Sequence, residues 1–262
     1  MPYRIDPAKE TGGEIRRVVE ERLGRARRSL AAYPHKDPEG LHEARKDIKR
    51  LRSLLRLLRL PALKAPRRQA NAALRMAGRR LSSCRDTEVL ATLLKEISNE
   101  TDAALREAAR HAMNQLPQRC ARERDVSPED RAATGRAFAD VEKTVAQMPL
   151  QTLGEKALLK AWKRSEKRRR RARRIFRQDP SPANLHELRK RQKDCLYQRK
   201  LLRDLLPQKK RSREKIRRRE KALGKARDYD LLGEFLEAAE GVDPDHRKRL
   251  CTCISERKAD LL

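Results

Sequence analysis

The chain has 262 residues, of which 67 are Lys or Arg and 38 are Asp or Glu, giving a formal net charge of +29. With 40% charged and 37% hydrophobic residues, the core must be thin and built from amphipathic elements, and so strong a field disfavours a compact state unless a polyanion balances it. No apolar run approaches the ~20 residues of a membrane span, the start Met-Pro-Tyr-Arg lacks the make-up of a signal peptide, and the cysteines (Cys84, Cys120, Cys195, Cys251, Cys253) lack framework spacing, which argues for reduced thiols in the cytoplasm.

Residues 1–13 form a short lead. Glu14 to Tyr33 reads as a helix with Ile15, Val19, Leu23, Ala26 and Leu30 on one stripe. Arg22 lies within that stripe and Arg25 and Arg28 at its edge, placed either to snorkel out or to reach a central cavity. After a turn over Pro34–Asp37, Asp37 and Pro38 supply an N-cap and first position for a helix that Pro61 stops after Leu60. Leu41, Ala44, Ile48, Leu51, Leu55 and Leu58 form its apolar stripe. His42, Arg45, Lys49, Arg52 and Arg56 fill the adjoining stripe, a cationic row about 21 Å long at helical rise. Glu43 and Asp47, the acids of the stretch Leu41–Leu60, point away from that row.

A third helix starts near Pro66 and carries Ala70, Leu74, Ala77, Leu81 and Cys84, accompanied by Arg68, Arg75 and Arg79. Its pattern weakens at Ser82-Ser83, where a kink or break is expected, and resumes at Arg85-Asp86. Thr101–Leu116 reads as a helix and Pro117–Pro128 as a charged loop. Ser127-Pro128-Glu129 opens a helix to about Met148. Pro149–Gly154 is the expected linker between a first half, 14–148, and a second, 155–262.

The second half opens with a helix over Glu155–Arg177, with Leu158, Trp162, Ala172 and Phe176 on its apolar side. Between Lys163 and Arg177 there are ten basic residues, Arg168 and Arg171 among them, and one acid, Glu166. A like-charge block is ordinarily disordered; here good helix formers without Gly or Pro keep helical periodicity, so partners must hold it. Leu185-His-Glu-Leu-Arg-Lys-Arg-Gln-Lys193 then repeats Leu41-His-Glu-Ala-Arg-Lys-Asp-Ile-Lys49, with Leu, His, Glu, Arg, Lys and Lys at identical offsets. Ser181-Pro182 recreates the cap. Leu185, Leu188, Cys195 and Leu202 make the packing stripe, and His186, Arg189, Lys193 and Lys200 the cationic row, with Tyr197 beside it. The copy departs where Ile48, Leu51 and Arg52 become Gln192, Cys195 and Leu196, which predicts looser packing or a different charge row. Gln208–Lys221 is a second basic block. Arg217, Lys221, Arg227 and Asp228 correspond there to Arg75, Arg79, Arg85 and Asp86. Leu231–Ala239 and Asp245–Leu262 finish the chain as helices. No segment shows sustained period-2 alternation, so the fold is expected to be all-α.

The duplicated Leu-His-Glu-x-Arg-Lys-x-x-Lys, followed in each half by Arg-Asp before a Leu-rich segment, resembles the conserved-histidine α-helical domain (CHAD) family over about residues 14–262. The resemblance implies two helical bundles related by pseudo-twofold symmetry, with basic residues converging on a central cleft or pore. It also implies non-catalytic binding of inorganic polyphosphate, often at polyphosphate granules. Some members are fused to a triphosphate tunnel domain, for which this chain leaves no room. The family's residues fall on His42, Arg45, Lys46, Lys49, His186, Arg189, Lys190 and Lys193, joined by Arg85 and Arg227 with their Asp neighbours.

Polyphosphate offers closely spaced anionic oxygens and no bases, which suits Arg forks and mobile Lys charges in line. Specific single-strand nucleic-acid binding wants stacking aromatics, and aromatics are 3% of this chain. Nucleic acid therefore stands second. The candidate polyphosphate contacts are Arg22, Arg25 and Arg28; His42, Arg45, Lys46, Lys49, Arg52 and Arg56; Arg75, Arg79 and Arg85; Arg168 and Arg171; His186, Arg189, Lys190, Lys193 and Lys200; and Arg217, Lys221 and Arg227. The two histidines read either as phosphate donors or as structural hydrogen-bonders; metal ligation would need further ligands near them. Asp86 and Asp228 are expected to orient arginines. No nucleophile–base pair, Gly-rich phosphate loop or carboxylate cluster is legible, so no enzyme activity, cofactor or metal is expected.

Overall fold

Helix follows helix through the computed structural model, which describes residues 3–33, 39–81, 85–99, 102–116, 126–206, 210–239 and 241–261, without the side chains of 85–88 and 210–217. Among the described residues there are ten α-helices and no strand: α1 (Thr11–Ala32), α2 (Gly40–Leu55), α3 (Lys64–Arg80), α4 (Arg85–Ser98), α5 (Ala103–Asn114), α6 (Pro128–Ala146), α7 (Glu155–Gln178), α8 (Pro182–Leu201), α9 (Lys210–Ala238) and α10 (Pro244–Ala259). The expected all-α class is what the chain adopts.

Local sequence sets the helix starts. Pro128 occupies the first turn of α6, and Ser127 Oγ accepts the Asp130 N–H at 3.1 Å. Asp243 caps α10, its Oδ1 accepting from Asp245 and His246. Ser181 Oγ accepts the Asn184 N–H at the start of α8. The corresponding Asp37-Pro38 cap lies outside the described residues, as do Ser82–Cys84 and most of the Pro117–Pro128 loop.

Two elements differ from expectation. α2 ends at Leu55, not Leu60. The backbone tightens there, Leu57 N–H donating to the Leu54 carbonyl at 2.8 Å and Leu58 N–H to Leu55 at 3.2 Å, and consecutive Leu57 and Leu58 are both fully buried. Leu60 is extended (φ −68°, ψ 146°), as a residue before proline should be. The expected linker Pro149–Gly154 contains a 3-10 turn, Leu150–Thr152, whose Leu150 sits with Leu153 in the core against α1. Helix α3 stops at Arg80 and α4 starts at Arg85, whereas the matching stretch of the second half runs unbroken within α9.

The residues gather into two compact units. The first takes 1–82, 126–178 and 190–210, and the second takes 83–125, 179–189 and 211–262. Compactness therefore divides the chain differently from the repeat, because each unit draws on both sides of 149–154. The repeat marks corresponding elements; the units collect elements that bury their apolar stripes together. In the first unit Ile15, Val19 and Leu23 of α1 meet Ile48 and Leu51 of α2, Leu74 of α3, Phe138 of α6 and Trp162 of α7 in one core. At Gly40 the backbones of α1 and α2 come so close that a Cβ would lie 2.3 Å from the Ser29 carbonyl oxygen. In the second unit Leu90 and Leu94 of α4, Ala108 and Ala112 of α5, Leu232 and Phe235 of α9 and Leu250 of α10 form a separate core.

Candidate functional site

The apolar stripe of α2 is buried as its spacing requires, and the adjoining basic side chains stand half-buried or exposed beside it. The face between α1 and α2 is different. Asp47 is fully buried there, with Arg50 2.6 Å, Arg22 3.4 Å and Arg25 3.4 Å away. Arg22 is 7% exposed, and its guanidinium also lies over the Tyr3 ring, 5.5 Å from the centroid. Arg25 reaches Glu43 at 2.9 Å, and Glu43 also pairs with Lys46. Arg22, proposed from sequence as a ligand contact, is thus a packing element of the α1–α2 interface; a cation in an apolar stripe found a buried acid on the neighbouring helix. Arg28 is exposed on α1.

A denser group of cations forms where α2, α3, α7 and α8 approach within the first unit. Burial, then Arg56, Arg75 and Arg79, push the Arg52 guanidinium below its ordinary range, while Asp194 pulls it back. Burial acts likewise on Arg59, followed by Arg168, Arg67, Arg164 and Arg191, and on Arg67, followed by Arg68 and Arg168. Guanidinium groups stay protonated, so these depressions mean that like charges are held against one another at partly dry positions. Their aim is fixed. Arg52 Nε donates to Asn71 Oδ1 at 3.3 Å, Arg59 Nε to the Arg56 carbonyl at 3.1 Å, and Arg56 pairs with Asp194 at 2.6 Å. Nε of Arg67 is buried without a hydrogen-bond partner among the described residues.

Helix α8 holds this face in place. Ser53 Oγ on α2 donates to the Asp194 carbonyl at 3.0 Å, and Gln198 Nε2 donates to the Ser53 carbonyl at 3.0 Å, both buried. Burial raises the Asp194 carboxyl, against the pull of Arg56, Arg191, Lys190 and Arg52. Burial also pushes the Cys195 thiol far up, next to Glu166 and Arg169 of α7.

Of the residues proposed from sequence, Arg52, Arg56, Arg75, Arg79, Arg168 and Lys190 share this cluster. His42, Arg45 and Lys49 lie on the same helix as Arg52 and Arg56, each with an interaction of its own. Lys193 and Lys200 belong to the same unit, half-buried and exposed respectively, and Arg171 is exposed on α7. His186, Arg189, Lys221 and Arg227 belong to the second unit. There Arg189 buries an Nε without a hydrogen-bond partner among the described residues. Arg227 pairs with Glu234, two turns along α9, at 2.7 Å and lies 4.0 Å from Asp230, one turn along. The side chains of Arg85, Asp86 and Arg217 lie outside the described residues. Sequence reasoning missed Arg59, Arg67, Arg164 and Arg191. Arg59 follows the expected row by one turn, and the others sit on helices whose meeting no local pattern announces.

Among the described residues no group of three or more His, Cys, Asp or Glu is placed to hold a metal ion. No described helix is long and apolar enough to cross a membrane.

The CHAD domain family model matches residues 17–236. The crystal structure of the CHAD domain from the plant Ricinus communis is similar in fold, with a TM-score of 0.55 at 19% sequence identity, covering 100% of this chain and 90% of that one. No curated protein matches the chain.

Proposed function

The chain belongs to the CHAD family, and from that premise we propose that it binds inorganic polyphosphate, without catalysing a reaction on it, through the cationic cluster of its first unit. The observation that carries this reading is the approach of Arg52, Arg56, Lys190 and Arg191 to Asp194, with Arg59, Arg67 and Arg168 held against one another beside them. Burial and mutual repulsion make the cluster costly, and a chain of condensed phosphate would offset both, giving each guanidinium a forked, charge-assisted partner. Trp162, Phe176 and Tyr197 are buried, which leaves no stacking platform on α7 or α8 for bases and supports phosphate over nucleic acid. Polyphosphate binding of this kind would bring the protein to polyphosphate granules in the cytoplasm.

The test is competition of long-chain polyphosphate against mixed-sequence DNA and RNA at about 0.15 M salt, the physiological screening regime. Polyphosphate should win, and Arg56→Glu or Arg59→Glu should weaken its binding sharply while Lys248→Glu, on exposed α10, leaves it intact. Nucleic acid winning, or equal losses in all three variants, overturns the assignment. Phosphate release from polyphosphate or ATP would overturn the non-catalytic part.

A further inference from the structure

The outer face of α7 carries a second line of cations that the cluster does not use. Lys163, Lys167, Arg170, Arg174 and Arg177 follow one another at spacings of four and three, and all five are exposed. At about 100° per residue they fall within about 40° of one line, which runs for about 21 Å. That line lies opposite the buried Leu158, Ala172 and Phe176. None of the five has a hydrogen bond or ion pair among the described residues. Glu166, the single acid between Lys163 and Arg177, is turned to Arg169 at 3.1 Å.

Some other cations of this chain are matched. Arg27 holds Glu142 at 2.6 Å, Arg25 holds Glu43 at 2.9 Å, and Lys225 holds Glu96 at 3.1 Å. Like charges three and four residues apart weaken a helix, so the unmatched line on α7 works against the helix that carries it. A protein partner of the usual kind would need apolar anchors at the centre of such a face, and the line contains none. Bases would need aromatic platforms, and Trp162 and Phe176 are turned into the protein. What the line fits is a flexible polyanion without bases. Arg171 stands about 80° from it around the helix, and Arg164 and Arg168, which meet the cluster, stand about 100° and 140° away. The cations therefore continue around α7 from the cluster to its outer face.

We propose that the outer face of α7 is a second polyphosphate track, engaged by chains long enough to leave the cluster and cross the helix at Arg171. This deepens the reading that polyphosphate is the ligand and rests on it. Short phosphates fill the cluster alone; long chains gain the track and a steeper salt dependence, because each phosphate neutralised releases counterions.

The test compares the wild-type protein with the quadruple variant Lys163→Gln, Lys167→Gln, Arg170→Gln and Arg174→Gln, whose exposed Gln residues keep good helix propensity. Affinity for long-chain polyphosphate, for tripolyphosphate and for single-stranded DNA is measured over a salt series, with helicity checked by circular dichroism. For long chains the variant should lose roughly tenfold or more in affinity, and the slope of log K against log salt should shrink by about 3, at about 0.7 per cation removed. Tripolyphosphate binding should not change. Unchanged long-chain affinity and slope overturn the track, as do equal losses for both ligands. A loss confined to single-stranded DNA assigns the face to nucleic acid and overturns it too. A wild-type protein that binds no polyphosphate refutes the underlying reading, which separates the two failures.

Discussion

Replacing Asp47 by Asn removes the charge around which α1 and α2 are joined while keeping the side chain's shape. The carboxylate is fully buried, 2.6 Å from Arg50 and 3.4 Å from Arg22, and Arg22 is 7% exposed. Removing one partner of a buried pair leaves the other charge desolvated, at about 3–5 kcal/mol. Arg25 and Arg50 are more exposed and recover water, so the low end, about 3 kcal/mol, is expected. At roughly 2–4 °C per kcal/mol for a chain of this size class, the thermal midpoint should fall by about 6–12 °C. Urea unfolding followed by circular dichroism measures the loss directly, and Arg22→Met in an Asp47→Leu background should recover most of it, since apolar replacement of a whole buried pair is close to neutral. Polyphosphate affinity of the folded Asp47→Asn protein should stay at the wild-type level, because these guanidiniums serve the interface. A loss below about 1 kcal/mol, or no coupling in the double-mutant cycle, refutes the reasoning.

Glu14 accepts from Arg17 at 2.7 Å and from the Asp6 N–H at 2.9 Å, which holds its carboxyl at about 2 against an ordinary 4.5. A depressed carboxyl contributes stability above its ordinary value and loses it as pH falls toward the folded one, so Glu14→Gln should cost up to roughly 3 kcal/mol at neutral pH and flatten the decline in stability between about pH 4.5 and 2; parallel acid limbs in the two proteins would contradict this. Arg59→Met relieves repulsion from Arg67, Arg164, Arg168 and Arg191, so the ligand-free midpoint should rise by roughly 2–4 °C if the relief is worth about 1 kcal/mol, while polyphosphate binding weakens. Calorimetry with and without ligand reads both signs, and a fall in both conditions would show that Arg59 is structural. Gly40→Ala should destabilise by about 1–3 kcal/mol although Ala favours helix, because its Cβ would meet the backbone oxygen of Ser29 at 2.3 Å; a more stable variant would show that α1 and α2 separate freely.

Helix periodicity and cap chemistry were readable along the chain because both are local. The stripes Leu41–Leu55 and Leu185–Leu202 are buried as their spacing demands, and Ser127, Ser181 and Asp243 cap the helices they precede. Where expectation failed, the deciding partner was distant in sequence. In sequence Arg22 is a cation within an apolar stripe, and its partner Asp47 lies 25 residues on. No local pattern marks Asp194, and in sequence Arg59, Arg67 and Arg164 belong to a general basic background. Only the packing of α3 and α7 beside α2 turns them into a cluster. Leu60 failed for a different reason: an apolar stripe cannot show that two successive leucines will both be buried by ending the helix early.

The departures between the two repeated helices then acquire a meaning. Where α2 carries Arg50, Ile48 and Leu54, α8 carries Asp194, Gln192 and Gln198. These polar replacements are buried on α8, and burying a polar group is tolerated only with a partner. The Asp194 carboxylate finds its partner on α2 at Arg56, and the Gln198 amide nitrogen donates to the Ser53 carbonyl, while Gln198 Oε1 is buried without a hydrogen-bond partner among the described residues. Both copies of the motif thus bring cations to the cluster, and α8 adds the acid that orients Arg56 and partly neutralises it. Asp194 thus sets a negative charge on α8 where α2 carries Arg50, inside a face crowded with guanidinium groups.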